Sequence, residues 1–439
     1  MATTLRKLQN KINNIPIAKP VGLVNNSIDK NVAKKNVAKN PFISDLSTIF
    51  PISPDEDAQV IEIQPDRAVI PGAALTPFTA PYTIPGTNTI LQSLYLHVMI
   101  DATVPYGALA ATVIRQNFYR IVQAVRFYND TKTFKQTTGE EAMMDLLLDK
   151  TSLDEFNNFN IKHAIYLAGT RDLVANPLAE FYIKIKLPEY LSGQKVGQIS
   201  PATFSRFNIQ VDVNPALLQL LGAGVVAAFP LFTNVSLIAK VSNMTDVNMN
   251  SQIIQSRLLR PMPVREKIIQ NFDHLAVAAN DVVTINLVGL ANRKVFTIDA
   301  LVQTQATYNG ALNMSFFNMY PNLIVATPII TSYNFVGDSK NIPQWSSNDT
   351  FFKRAEYYES FKKFRLRENF GLNLMLADDD ISELYDGKIP SFKQIPNYNT
   401  FQVALQFANL TPATTYTIQI VSDTVGELKF INGEPSIQW

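Results

Sequence analysis

The chain contains no cysteine, which excludes disulfides, thiolate metal centres and cysteine nucleophiles at once. Histidine is almost as scarce. His97, His163 and His274 are the only three in 439 residues; they lie far apart, and none has a second His or a carboxylate at metal-ligand spacing, so they read as ordinary core or surface side chains. Charge is low as well: Asp, Glu, Lys and Arg make up 17% of the chain against 46% hydrophobic residues, where about a quarter charged is usual. The surface must be largely neutral and polar, which suits a body whose sides are covered by neighbours. No glycine-rich phosphate loop and no catalytic triad can be drawn from the residues, so a nucleotide enzyme and a serine hydrolase are both disfavoured and no cofactor is expected.

Long apolar runs are also nearly absent. The one candidate, Pro215 to Phe232, approaches a membrane span in length but is interrupted by Gln219, Gly222, Gly224 and Pro230, which fits a buried connection better. The start, Met1 to Ile15, interleaves basic residues with Leu and Ile and lacks the continuous apolar stretch of a secretory signal, so synthesis in a reducing cytoplasm is expected.

What is present begins with a charge split. The first forty residues carry Arg6, Lys7, Lys11, Lys19, Lys30, Lys34, Lys35 and Lys39 against Asp29 alone. With 38 basic and 37 acidic residues in all, the remainder holds 30 basic against 36 acidic. A basic arm on a slightly acidic body points to a polyanionic partner for the arm, either lipid headgroups or nucleic acid. Leu5, Leu8, Ile12 and Ile15 recur at spacings of three and four with Arg6, Lys7 and Lys11 off that stripe, the pattern of a short amphipathic helix with a cationic flank. Beyond Pro16 and Pro20, Asn31-Val-Ala-Lys34 repeats as Asn36-Val-Ala-Lys39, a polar stretch with little to bury.

From about residue 58 the period changes to two. Leu94, Leu96, Val98 and Ile100 alternate with Tyr95, His97, Met99 and Asp101, and Phe181, Ile183, Ile185 and Leu187 with Tyr182, Lys184 and Lys186. Phe207 to Val213 and Val235 to Val241 repeat the pattern, each a strand with one face on a core and the other on solvent or a partner. Gln252 to Lys267, with Pro261 and Pro263 among Arg257, Arg260 and Arg265, reads as a connector. The rhythm resumes at Val283, Ile285 and Leu287, then at Phe296 and Ile298, at Phe401 to Phe407 and at Tyr416 to Ile420. A final hairpin, Glu427 to Trp439, is turned by Asn432-Gly433. Two short helices punctuate the strands: Gly139 to Lys150, capped by Thr138 with Glu141 as capping-box partner, and Asp379 to Asp386, capped by Asp378 and stopped by Gly387. The length exceeds one ordinary core. The expected organisation is therefore all-β: an arm at 1–57, an eight-stranded jelly-roll β-sandwich at 58–251, a linker at 252–267 and a second jelly roll at 268–439, each with one short helix.

Other clusters have plainer explanations. Asp378 to Asp380 read as helix capping and Asp55 to Asp57 as a solvated turn, since neither sits in a glycine-punctuated cation loop. Phe351, Phe352, Tyr357, Tyr358, Phe361 and Phe364 interleave with Lys353, Arg354, Lys362, Lys363, Arg365 and Arg367; such a stretch can stack on bases or belong to a core with charged edges. The sequons at Asn129, Asn234, Asn243, Asn313, Asn348 and Asn409 carry little weight in an Asn- and Thr-rich chain.

A tandem pair of jelly rolls behind a basic amphipathic arm, without cysteine or catalytic constellation, resembles the double jelly-roll major capsid proteins of tailless icosahedral, membrane-containing viruses, and within them those of small lipid-containing phages of the Flavobacterium-infecting type. The resemblance rests on organisation rather than on a signature motif. It implies a homotrimer of six jelly rolls forming a pseudo-hexagonal block that packs against neighbouring trimers and minor or penton proteins in a virion capsid, standing on an internal lipid membrane. The positions it assigns to membrane or polyanion contact are Leu5, Arg6, Lys7, Leu8, Lys11 and Ile12, with Lys34, Lys35 and Lys39; packaged nucleic acid is the other candidate for the arm. The apolar segment Ala216 to Phe229 is then a candidate for burial at an intratrimer contact or under a surface loop. A different class, a carbohydrate-binding or adhesive β-sandwich using exposed aromatics, remains open, although Trp345 and Trp439 are the only tryptophans. A glycoside hydrolase needs only two suitably spaced carboxylates and has no other cue here.

Overall fold

The computed structural model describes residues 58–68, 76–85, 89–100, 118–130, 132–149, 180–187, 189–190, 201–204, 206–214, 232–243, 262–309, 328–348, 372–376, 393–431 and 434–438. The expected arm, the helix at 379–386, the apolar run before Phe232 and the aromatic and cationic stretch at 349–370 lie outside these residues.

In chain order the first half contains β1 (Ala58–Ile63), β2 (Phe78–Thr83), β3 (Thr89–Ile100), β4 (Val122–Asn129), β5 (Lys132–Thr137), the helix α1 (Gly139–Asp149), β6 (Glu180–Ile185), the two-residue β7 (Glu189–Tyr190), β8 (Asn208–Val213) and β9 (Phe232–Asn243). Two four-stranded antiparallel sheets result, ordered β1-β9-β3-β6 and β2-β8-β4-β5. The strand alternation decides which side chains meet between them. Leu94, Leu96 and Val98 of β3, Ile183 and Ile185 of β6, Ile209, Val211 and Val213 of β8, and Val235, Leu237, Ala239 and Val241 of β9 are all buried in one core.

The second half contains β10 (Met262–Leu275), β11 (Asp281–Asn286), β12 (Lys294–Thr304), the short α2 (Gln305–Asn309), β13 (Ile329–Gly337), β14 (Lys340–Asn341), β15 (Leu372–Leu376), β16 (Lys393–Gln394), β17 (Phe401–Ala408), β18 (Thr415–Ile431) and β19 (Glu434–Gln438). Its two sheets run β15-β12-β18-β10 and β11-β17-β13-β14, with β7 on the edge of β10, β16 beside β12 and β19 beside β18. If the short edge additions β7, β16 and β19 are set aside, each half has eight strands among the described residues. Counted from its own first strand, each half then has the orders 1-8-3-6 and 2-7-4-5. The two sandwiches share one topology, an eight-stranded jelly roll. Val283, Ile285, Phe335, Val403, Leu405, Ile418 and Ile420 fill the second core.

Turn chemistry closes the hairpins. Asp338 and Ser339 both take positive φ, 48° and 64°, between the paired Gly337 and Lys340, the geometry of a two-residue turn whose twist matches the strands. Ile431 pairs with Glu434, so β18 and β19 form the expected terminal hairpin.

Two expectations need correction. Met262 to Lys267, read as part of the connector, are the opening of β10 and pair residue by residue with Leu428 to Asp423 of β18; Pro263 is tolerated because a proline near a strand start sacrifices little of the ladder. The capping box at α1 is only half made. Thr138 Oγ1 accepts the Glu141 backbone N–H at 3.1 Å, but the Glu141 side chain does not return to the cap. It turns into the interior.

Gly139 at the start of α1 packs so closely that a Cβ would sit 1.8 Å from the carbonyl oxygen of Tyr119. Gly139→Ala should therefore cost at least the ~1–3 kcal/mol typical of overpacking, read as a lower urea midpoint; an unchanged midpoint would show that the Tyr119 segment yields freely.

Candidate functional site

Strand β18 is buried along both faces, although its sequence alternates apolar and polar residues. Tyr416, Ile418 and Ile420 enter the second core, while Thr417, Gln419 and Asp423 are 0%, 0% and 1% exposed on the opposite face. That face is covered by the first sandwich, chiefly by α1 and the end of β5. The seam between the sandwiches is thus the most charged buried region among the described residues.

Glu141 is its centre. Its carboxylate accepts from Thr137 Oγ1 at 2.6 Å and from the backbone N–H of Lys267 at 3.1 Å, and lies 3.2 Å from Lys186 Nζ. Burial pushes this carboxyl upward, but the ammonium groups of Lys186 and Lys135, the Thr137 hydroxyl and the Lys267 N–H outweigh it and hold the group below its ordinary range. Lys135 Nζ reaches Glu266 Oε1 at 3.0 Å, and Glu266 Oε2 accepts from Arg293 at 3.0 Å. A cation of the first sandwich and a cation of the second therefore share one carboxylate. Beside them Lys267 and Asp423, direct partners in the β10–β18 register, form a pair at 2.8 Å with side chains 0% and 1% exposed.

The seam continues as hydrogen bonds from amide groups. Gln419 Nε2 donates to Glu140 Oε1 and to Asn271 Oδ1, each at 2.9 Å, and Asn271 Nδ2 donates to the Tyr308 hydroxyl at 2.7 Å. The Arg120 guanidinium lies 4.2 Å from the Tyr308 ring centre. Burial, and then the nearby Glu140 carboxylate, raise the Tyr308 hydroxyl to about 12. An apolar zone completes the contact: Val264, Leu301, Val421 and Leu428 of the second sandwich join the first core, and Phe430 meets Phe204 edge-on at 5.3 Å.

None of these seam residues was singled out by sequence as a functional group. Lys135 and Lys186 stand where alternation predicts outward positions; from Lys135 that direction leads to Glu266 of the other sandwich, and from Lys186 to the buried Glu141. The candidate contact residues Leu5, Arg6, Lys7, Leu8, Lys11, Ile12, Lys34, Lys35 and Lys39 lie outside the described residues. His97 is on the outward face of β3 as expected, but its neighbour is Glu180 at 2.8 Å, with Tyr182 stacked on the ring at 4.6 Å. His274 pairs with Asp281 at 3.1 Å across the β10–β11 turn. Among the described residues no three His, Asp or Glu side chains come together in a way that could hold a metal ion. Trp345 packs edge-on against Phe335 and Phe401 at 6.3 and 6.0 Å, so it borders the second core rather than offering a free platform for a sugar ring.

Two jelly rolls joined side by side in one polypeptide are the fold of double jelly-roll viral major capsid proteins. Among solved structures, the chain is similar to VP54 of PBCV-1 fitted into a reconstruction of the virophage Sputnik, with a TM-score of 0.55 and 9% identity over 87% of this chain and 96% of that one. The PBCV-1 capsid quasi-atomic model gives 0.53 and 10% over 87% and 96%, and the Faustovirus major capsid protein 0.52 and 10% over 84% and 90%. No family model matches the sequence, and no curated protein does.

The seam predicts asymmetric responses to mutation. Lys267→Met should cost about 3–5 kcal/mol by removing the ammonium that faces the buried Asp423 carboxylate, while Lys267→Met with Asp423→Leu should recover most of it, as read by chemical denaturation. Glu141, with its folded-state value depressed below 4.5, contributes stability that is present above that pH and lost as pH falls through the lower folded-state value. Glu141→Gln should flatten that part of the acid-unfolding curve.

Proposed function

We propose that the chain is a structural major capsid protein and not an enzyme. The observation that carries this reading is the repetition, within one polypeptide, of two eight-stranded jelly rolls with the same strand order, locked by a buried charged seam. A unit made of two sandwiches of like topology is suited to tiling. Three copies place six jelly rolls in a ring, the pseudo-hexameric homotrimer, and such blocks pack against one another and against minor or penton proteins in the shell of a virion.

The arm at 1–57 supplies a second contact. Leu5, Leu8 and Ile12 would enter a bilayer interface while Arg6, Lys7 and Lys11, followed by Lys34, Lys35 and Lys39, meet anionic headgroups, each charge contributing on the order of 1 kcal/mol near the surface. An internal membrane is favoured over packaged nucleic acid because the basic residues flank an apolar stripe, which phosphate binding alone does not need.

Native mass measurement of the full chain should show a trimer; a stable monomer under assembly conditions would defeat the capsid reading. Deleting residues 1–14 should leave the trimer intact and weaken binding to vesicles of anionic lipid. Equal vesicle binding by the truncated chain, or its loss of binding to nucleic acid alone, would remove lipid from the arm's role.

A further inference from the structure

A chain without cysteine has no disulfide to tie its long sheets together, yet the seam holds the two halves of an amide bond side by side. Lys267 of β10 and Asp423 of β18 are direct partners in an antiparallel register, 156 positions apart. Lys267 Nζ lies 2.8 Å from Asp423 Oδ2, so the carboxyl carbon bonded to that oxygen is close to the ~3–3.5 Å of a near-attack geometry.

The surroundings are dry and ordered. The next residues on the same face, Ile269 and Val421, are again register partners, and both pack on the first core. On the third strand, Thr297 of β12 stands opposite Asp423. It is fully buried, and its hydroxyl has no hydrogen-bond partner among the described residues. Glu141 takes the Lys267 backbone N–H and so fixes the strand from which the lysine side chain projects. An amine, a carboxyl group and a hydroxyl thus form one row across β10, β18 and β12.

Two charges in such a place are costly even when paired. Passing one proton along the hydrogen bond from Lys267 to Asp423 gives a neutral amine and a neutral acid, the forms that a low-dielectric site favours, and the amine lone pair is then available to the carboxyl carbon.

We infer that Lys267 and Asp423 condense to an intramolecular isopeptide bond. The Nζ–Cγ bond forms and one Cγ–O bond breaks. The two protons lost by the ammonium leave with that oxygen as one water molecule, so no oxidant, reductant or activating group is consumed. The Thr297 hydroxyl, beside the carboxyl group, takes a proton from the nitrogen and gives one to the departing oxygen. The product replaces two buried charges by a neutral amide, and the tie between β10 and β18 closes a loop through most of the second sandwich, which restricts the unfolded chain. Freshly folded protein carries the ion pair; the bond accumulates afterwards. It forms within one chain and is independent of the proposed capsid role.

Intact mass measurement of the full chain, fresh and after incubation in the folded state, tests this directly. The wild type should become lighter than its sequence by the mass of one water, and protease digestion should release a branched peptide joining Lys267 to Asp423. Lys267→Met with Asp423→Leu, which leaves the seam filled and uncharged, should keep the mass of its own sequence throughout. Thr297→Val should slow the loss of water about tenfold or more, with the urea midpoint of freshly folded protein little changed; an unchanged rate would remove Thr297 from the step. A wild type that holds the mass of its sequence after incubation, or a missing water that maps to another place such as Asp386-Gly387, would overturn the isopeptide bond.

Discussion

Glu141 sits where a charge is most costly, in a contact from which water is excluded, and it is kept ionised by two ammonium groups, a hydroxyl and a strand N–H. An apolar seam of the same area would resist separation, but it would tolerate sliding. A carboxylate that must find Lys186 on one side and the Lys267 backbone on the other accepts one arrangement. The Lys135–Glu266–Arg293 bridge repeats that demand from the opposite direction. The seam therefore works less as glue than as a gauge: it sets the angle between the sandwiches. Net stabilisation comes mainly from the apolar part, where Val264, Leu301, Val421 and Leu428 extend the first core.

Duplication explains the division of labour. Each jelly roll on its own would expose an outer sheet face and several strand edges, and such edges invite uncontrolled pairing. The two-residue β7 shields one side of β10, and β19 and β16 pair with β18 and β12, so the central sheet of the second sandwich is protected at its margins as well as on both faces. The tandem chain solves part of the exposure problem internally, by burying one outer face of the second sandwich against the first.

Much of this could be read along the chain. Alternation at Leu94 to Val98, Ile209 to Val213, Val235 to Val241 and Phe401 to Phe407 marks real strands with the right side inward, because a pleated strand gives sequence parity a direct spatial meaning. Thr138 announces α1. What could not be read falls into two kinds. The two-residue strands β7, β14 and β16 are too short for any period to register, and the start of β10 was hidden by Pro261 and Pro263. More fundamentally, Lys135, Lys186 and Lys267 look like solvated residues, since parity tells which side of a sheet a residue faces and not what stands there.

Sequence alone thus determined the class of element, the inward set of side chains, the doubling of the architecture and the polarity between a basic arm and an acidic body, all of which follow from local periodicity and composition. Tertiary structure decided which outward faces are surfaces and which are interiors. That depends on residues more than a hundred positions apart, such as Glu141 and Lys267, meeting at one place, and no local pattern encodes a meeting.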